Sequence, residues 1–163
     1  MMISKTALLL MYNVHKDRSI ILRPDSLFCR TIDTSTNTVS TIRYIDIKCN
    51  QLPVDLIKKM VDHTLTKICW DIENTSAITE ALLAEAGATE NHIDFIDLQQ
   101  WLRNNGYPYQ SLNSVAKRFN IRNCCRSDIK DIKKLRTRFI CLSKIAQKLI
   151  AMDNQNLIDG ILI

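Results

Sequence analysis

Residues 1–50 contain runs of β-branched and aromatic side chains but no segment with helical spacing, and this order constrains the fold more than any single motif. Polar breaks at His15-Lys16-Asp17-Arg18 and Asp33-Thr34-Ser35-Thr36-Asn37 divide the stretch. Strands are expected at Ala7 to Val14, at Ser19 to Leu22 continuing toward Phe28, and at Thr38 to Ile47. The chain therefore opens as a three-stranded antiparallel meander.

Strands and helices then alternate. Pro53 suits a first helical turn, and Val54, Ile57, Met60, Val61 and Leu65 predict a helix over 53–65. Lys67 to Ile72 reads as a short apolar strand, and Ser76 is placed to cap a helix that carries Ile78, Leu82 and Leu83 and stops at Gly87. A strand at His92 to Ile96 leads into a helix with Leu98, Trp101 and Leu102 on one face, ending at Gly106. Ser111 caps a short helix with Leu112, Val115, Ala116 and Phe119 facing inward. A long helix follows over 128–152, its stripe formed by Ile129, Ile132, Leu135, Phe139, Leu142, Ile145 and Leu149. The fold class is α/β: a mixed sheet of meander plus alternating strands and helices, with a long C-terminal helix.

A chain of 163 residues, 46% hydrophobic and 24% charged with three Gly and three Pro, is expected to form one domain over 1–163, ordered nearly throughout. The cysteines at 29, 49, 69, 124, 125 and 141 show no Cys-x-x-Cys spacing and read as buried thiols of a reducing compartment, so a cytoplasmic location is expected. The apolar run from Thr6 to Tyr12 is far shorter than the roughly 20 residues a membrane helix needs, and it lacks the flanks of a signal peptide. His15, His63 and His92 lie in separate segments without metal spacing. Trp70 and Trp101 are expected in the core, whereas Tyr107 and Tyr109 beside Pro108 are better placed to stack on bases.

The segment Ile93-Asp-Phe-Ile-Asp-Leu-Gln-Gln-Trp-Leu102, followed by Tyr109-Gln-Ser-Leu-Asn-Ser-Val-Ala-Lys-Arg-Phe-Asn-Ile121, resembles part of the DEDD (DnaQ-like) 3′–5′ exonucleases. It is similar to that family's strand with an Asp-Thr pair and the two helices after it. Lys67 to Leu83 is similar to the strand and helix that bear the second acidic motif, and the likeness spans about 67–131. It implies an RNase H-like fold in which four carboxylates hold two metal ions. The first motif, Asp-x-Glu, would fall within Leu8 to Val14, where this chain has Leu-Leu-Leu-Met-Tyr-Asn-Val and no acid. The Asp of the second motif would fall among Ala77, Ile78 and Thr79. Asp131 stands where the last acid is expected, but Arg126 replaces its usual His partner. The resemblance thus implies a degenerate, non-catalytic member that needs no cofactor. A divergent nuclease remains as an alternative, with Asp71 and Glu73 on one face of a strand, joined by Asp131 and holding Mg²⁺ or Mn²⁺; otherwise those two acids end a strand and cap the next helix.

Charge is segregated along the chain. Residues 111–150 hold eleven basic side chains against Asp128 and Asp131, a local charge of +9 in a chain that totals +5, so the remainder is net acidic. A basic helical region over 111–152 is the electrostatic footprint of a polyanion partner. The residues expected to bind nucleic acid are Lys117, Arg118, Arg122, Arg126, Lys130, Lys133, Lys134, Arg136 and Arg138; Lys144 and Lys148 complete the charge. The partner is nucleic acid or an acidic surface of a nucleic-acid-processing protein, with no membrane partner and no oligomeric state implied. Simple solvation of a helix face is the plainer alternative. A second alternative is a helix-turn-helix regulator: Ala116 faces inward, Asn120 forms the turn, and a recognition helix starts near Asn123 and presents Arg122, Arg126 and Lys130.

Overall fold

The computed structural model describes residues 3–15, 23–47, 52–88, 93–104, 106–107, 111–122 and 132–154. Strand β1 (Thr6–His15) pairs antiparallel with β2 (Arg23–Asp33), with a register shift at Asn13/Val14. On its other side β1 pairs parallel with β5 (Thr66–Cys69), which pairs parallel with β6 (Phe95–Asp97). Strands β3 (Thr38–Val39) and β4 (Arg43–Asp46) both pair antiparallel with β2. The sheet order is β3-β2-β1-β5-β6, with β4 beside β2, which is the expected mixed sheet.

The third strand of the meander is not continuous as expected; it divides into β3 and β4 because Ser40 is engaged sideways. The Arg30 guanidinium donates to the Ser40 carbonyl through Nε (3.0 Å) and Nη2 (2.7 Å), and Thr31 N–H donates to Ser40 Oγ at 2.9 Å. The expected start of the second strand, Ser19 to Leu22, lies outside the described residues.

Strand β1 is central, and Ala7, Leu8, Leu9 and Leu10 are all buried, as an apolar run covered on both faces requires. Alternation sends Leu8, Leu10 and Tyr12 to one side, against α1 (Val54–Val61) and α2 (Ile72–Glu85). Ala7 and Leu9, with Phe28 and Ile32 of β2, face α4 (Leu112–Arg118) and α5 (Ile132–Asn154) on the other. The short helix α3 (Leu98–Asn104) joins this second core through Leu98 and Leu102, and Trp70 and Trp101 pack against it half-buried. Phe139 of α5 is fully buried and stacks on Phe28, with ring centroids 6.0 Å apart and planes at 23°.

Several boundaries depart from expectation. Helix α1 ends at Val61 rather than 65, because Asp62 takes extended backbone and its carboxylate accepts Thr64 N–H at 2.9 Å. Helix α2 starts at Ile72, so Ser76 lies inside it and does not cap it. Strand β5 stops at Cys69 and β6 starts at Phe95. Ser111 does cap α4, its Oγ accepting Ser114 N–H at 3.2 Å. Helix α5 is described from Ile132, which is 47% exposed and so does not belong to the buried stripe; the expected start at Asp128 and the residue Ile129 lie outside the described residues. Cys29, Cys69 and Cys141 are buried as expected, while Cys49, Cys124 and Cys125 are not among the described residues. No helix of the described residues is long and apolar enough to cross a membrane.

Candidate nucleic-acid interface and the carboxylate positions

The chain segments expected to carry the first two acidic motifs do meet, but through neutral groups. Tyr12 on β1 and Thr79 on α2 are both buried, with Tyr12 Oη and Thr79 Oγ1 2.9 Å apart. Thr79 Oγ1 donates its proton to the Thr75 carbonyl at 2.7 Å, so the phenol is the donor in the pair. Burial pushes the Tyr12 phenol far above its ordinary range, with the Thr79 hydrogen bond only partly offsetting it. Burial likewise raises the Cys69 thiol, next to the same helix start. A neutral phenol and a hydroxyl whose proton is already engaged supply none of the anionic oxygens that hard divalent cations require. The residues at these positions do not fit the two-metal group that the sequence resemblance implies.

The alternative acids are placed otherwise than a metal pair needs. Asp71 sits at the junction of β5 and α2 with φ +73°, and Glu73 lies within α2, so the two do not share a strand face. Nor does Asp71 cap α2 with its side chain: its Oδ2 accepts from Asn74 Nδ2 at 2.8 Å. The left-handed backbone at Asp71 is held by its own N–H, which donates to Asp97 Oδ1 at 3.2 Å. That same oxygen accepts Gln99 N–H at 3.0 Å, so Asp97 closes β6 and caps α3. Asp97 is thus a buried carboxylate with a structural task, which the sequence reading did not single out. An Asp directly before Leu98 was the available signal. Asp131 lies outside the described residues, and among the described residues no three His, Cys, Asp or Glu side chains converge in a way that would hold a metal.

The basic residues occupy two regions. On α5, Lys133, Lys134 and Arg136 are exposed and Arg138 is half-buried. Arg136 stands near Arg30 of β2: burial first, and then the Arg136 charge, lowers Arg30 below its ordinary value. The second region joins α4 to the later turns of α5, with Lys117, Arg118, Arg122, Lys144 and Lys148 all exposed. Lys148 Nζ donates to the Phe119 carbonyl at the end of α4, the place where a helix favours a cation. The Arg118 guanidinium lies 5.4 Å over the Tyr107 ring, occupying one face of the aromatic that had been expected to stack on bases. Arg126, Lys130, Pro108 and Tyr109 lie outside the described residues.

The turn after α4 matches the helix-turn-helix expectation as far as Arg122. Ala116 and Ile121 are buried, and Asn120 takes φ +57° with Ile121 N–H donating to the Ala116 carbonyl at 2.8 Å. The expected recognition helix from Asn123 lies outside the described residues.

No family model matches the sequence, and no curated protein matches it. Solved structures do match. The E. coli exonuclease I in complex with a dT13 oligonucleotide superposes with TM-score 0.65 at 12% identity, over 96% of this chain and 43% of that one. A 3′-exonuclease described for 3′-end specific recognition of histone mRNA stem-loop gives TM-score 0.64 at 7% identity, over 92% and 83%. Cell-death related nuclease 4 gives 0.61 at 10% identity, over 91% and 64%. This chain therefore spans under two thirds of the nuclease 4 chain and under half of exonuclease I. At these identities the likeness concerns the fold, which is the RNase H-like fold of the DEDD-type 3′–5′ exonucleases.

Proposed function

We propose that this chain is a catalytically degenerate, exonuclease-like domain that acts by binding nucleic acid through its basic C-terminal surface. The observation that carries the reading is the Tyr12–Thr79 hydrogen bond: the two segments that would bring metal-binding acids together meet through uncharged groups. Exposed cations on α4 and α5 support the binding half, and exonuclease I, of similar fold, is seen with a dT13 oligonucleotide. Lys117, Arg118, Arg122, Lys133, Lys134, Arg136 and Arg138, with Arg126 and Lys130, form the contact surface. Because 1–163 acts as one binding domain without its own chemistry, its role is that of an accessory or inhibitor factor in nucleic-acid processing.

The test is fluorescence anisotropy of labelled single-stranded DNA and RNA with the protein in Mg²⁺ and Mn²⁺, followed by gel analysis of the strands. Binding is expected to weaken as salt rises, with a log–log slope of about −0.7 per phosphate contact, and the strands are expected to stay intact. Combined Lys133→Glu, Lys134→Glu and Arg136→Glu should weaken binding at least tenfold. Metal-dependent shortening of the strands that disappears in Asp71→Ala would overturn the degenerate reading. Absence of binding at low salt would redirect the surface to an acidic protein.

A further inference from the structure

An open pocket of ≈ 530 Å³ lies where three parts of the chain meet: Asn37 in the turn after β2, Asn120 to Arg122 after α4, and one face of α5. Its size falls in the range of small-ligand sites, roughly 300–1,000 Å³. Arg122, Lys144 and Lys148 line it, and among the described residues no acidic side chain does. Lys144 and Lys148 are one helical turn apart, a like-charge spacing that is repulsive without an anion between them. Lys148 is directed by its bond to the Phe119 carbonyl and retains further N–H donors.

The wall of the pocket is built rather than incidental. Asn37 Nδ2 donates to the Gln147 carbonyl at 3.0 Å, and Gln147 Nε2 donates back to the Asn37 carbonyl at 3.0 Å. This reciprocal pair fixes the β2–β3 turn on α5, and Asn37 takes φ +55° to make it. On the opposite side the left-handed turn at Asn120 aims the chain so that Ile121 enters the core and Arg122 reaches solvent.

The pocket is remote from the positions where the acidic motifs would fall. Thr34 N–H donates to the Lys5 carbonyl at 2.8 Å, which puts the turn bearing Asn37 at the start of β1. Tyr12 is near the other end of β1 and faces α2, on the opposite side of the sheet from α5.

We propose that this pocket binds a phosphate group of a nucleic-acid strand, held by Arg122, Lys144 and Lys148. The assignment of the phosphate to a strand rests on the nucleic-acid reading above, whereas the chemistry of the pocket does not. A guanidinium and two ammonium groups around one opening match the oxygens of a phosphate, and a bidentate arginine adds direction.

The experiment compares wild type, the Arg122→Ala/Lys144→Ala double variant, Lys144→Arg, and a Lys58→Ala/Lys59→Ala control on α1. Each is titrated with a labelled single-stranded oligonucleotide and, separately, with inorganic pyrophosphate followed by amide chemical shifts. The expected result is about tenfold weaker oligonucleotide binding in the pocket variant, with a salt slope shallower by about 1.4, two contacts at about 0.7 each. Lys144→Arg, which keeps the charge, should bind more tightly than the double variant, the control should bind as wild type, and pyrophosphate should shift the amides of Arg122 and Lys144. All four residues substituted are exposed, and circular dichroism checks that each variant is folded. Should wild type and pocket variant bind the oligonucleotide equally, the pocket is refuted and the broader binding surface stands. If wild type ignores the oligonucleotide but pyrophosphate shifts those amides, the phosphate chemistry holds and the strand as its source is overturned. No response to either ligand refutes both.

Discussion

The Tyr12–Thr79 pair yields an asymmetry that can be measured. Because Thr79 gives its only hydroxyl proton to the Thr75 carbonyl, Tyr12 is the donor and Thr79 the acceptor. Tyr12→Phe removes the donor and leaves behind an oxygen that still has its own proton engaged. The loss is then that of one ordinary hydrogen bond, about 1 kcal/mol. Thr79→Val keeps the shape but leaves the buried phenol without an acceptor, which costs about 2 kcal/mol because an orphaned buried donor carries its full desolvation penalty. In the double variant neither polar group remains, so its cost should fall short of the sum by about 1 kcal/mol. Urea unfolding at constant m-value reads all three differences. Two results would refute the reasoning: Tyr12→Phe costing more than Thr79→Val, or the two costs adding to within about 0.5 kcal/mol.

Alkaline pH should destabilise the fold through the same region. Tyr12 and Cys69 are raised by burial above their ordinary values of 10.0 and 9.0, so the unfolded chain releases protons that the folded chain keeps. Their contribution is complete below pH 9 and declines above it by about 1.4 kcal/mol per pH unit for each group that ionises only when unfolded. Urea midpoints measured between pH 8 and 10.5 should fall accordingly, less steeply in Tyr12→Phe, and a flat profile would contradict the assignment. In the other core, Phe139→Ala should cost about 3–5 kcal/mol by thermal unfolding, since the ring is fully buried against Phe28. Ile132→Ala, at a 47% exposed position of the same helix, should stay within about 0.5 kcal/mol.

The fold was legible in sequence wherever hydrophobic period carried the information. The run Ala7 to Val14 and the stripe Phe139, Leu142, Ile145 and Leu149 each correspond to an observed element because burial dictates them, and the cap at Ser111 does so because its hydroxyl accepts the Ser114 N–H. Period failed where side chains compete with the backbone. Ser40 divides a strand by accepting from Thr31 and Arg30, and Ile132 extends the apolar stripe in sequence one turn beyond the point where α5 lies on the sheet. The start of α2 was misread because Cys69-Trp-Asp-Ile continues an apolar run, while the chain leaves the strand through left-handed backbone at Asp71. Of the site, the absent acids and the excess of positive charge could be read directly. The Tyr12–Thr79 contact and the joining of Asn37 to Gln147 could not, because each links residues far apart in the chain by only one or two polar contacts.

The division of the core between the two faces of the sheet also sets an order in time. Strands β1 and β2 present Ala7, Leu9, Phe28 and Ile32 toward α5, and the cover they need includes Phe139, Leu142 and Ile145. During synthesis the roughly hundred residues that separate Ile32 from Phe139 take on the order of 5–20 s to emerge at about 5–20 residues per second. Throughout that interval the early hairpin has its α5 side bare, a sticky surface at the ribosome exit with its own partner still unmade. Helix α5 therefore both carries much of the positive charge and ends this exposure, so truncations before Phe139 should be recovered bound to chaperones or aggregated rather than as shorter folded proteins.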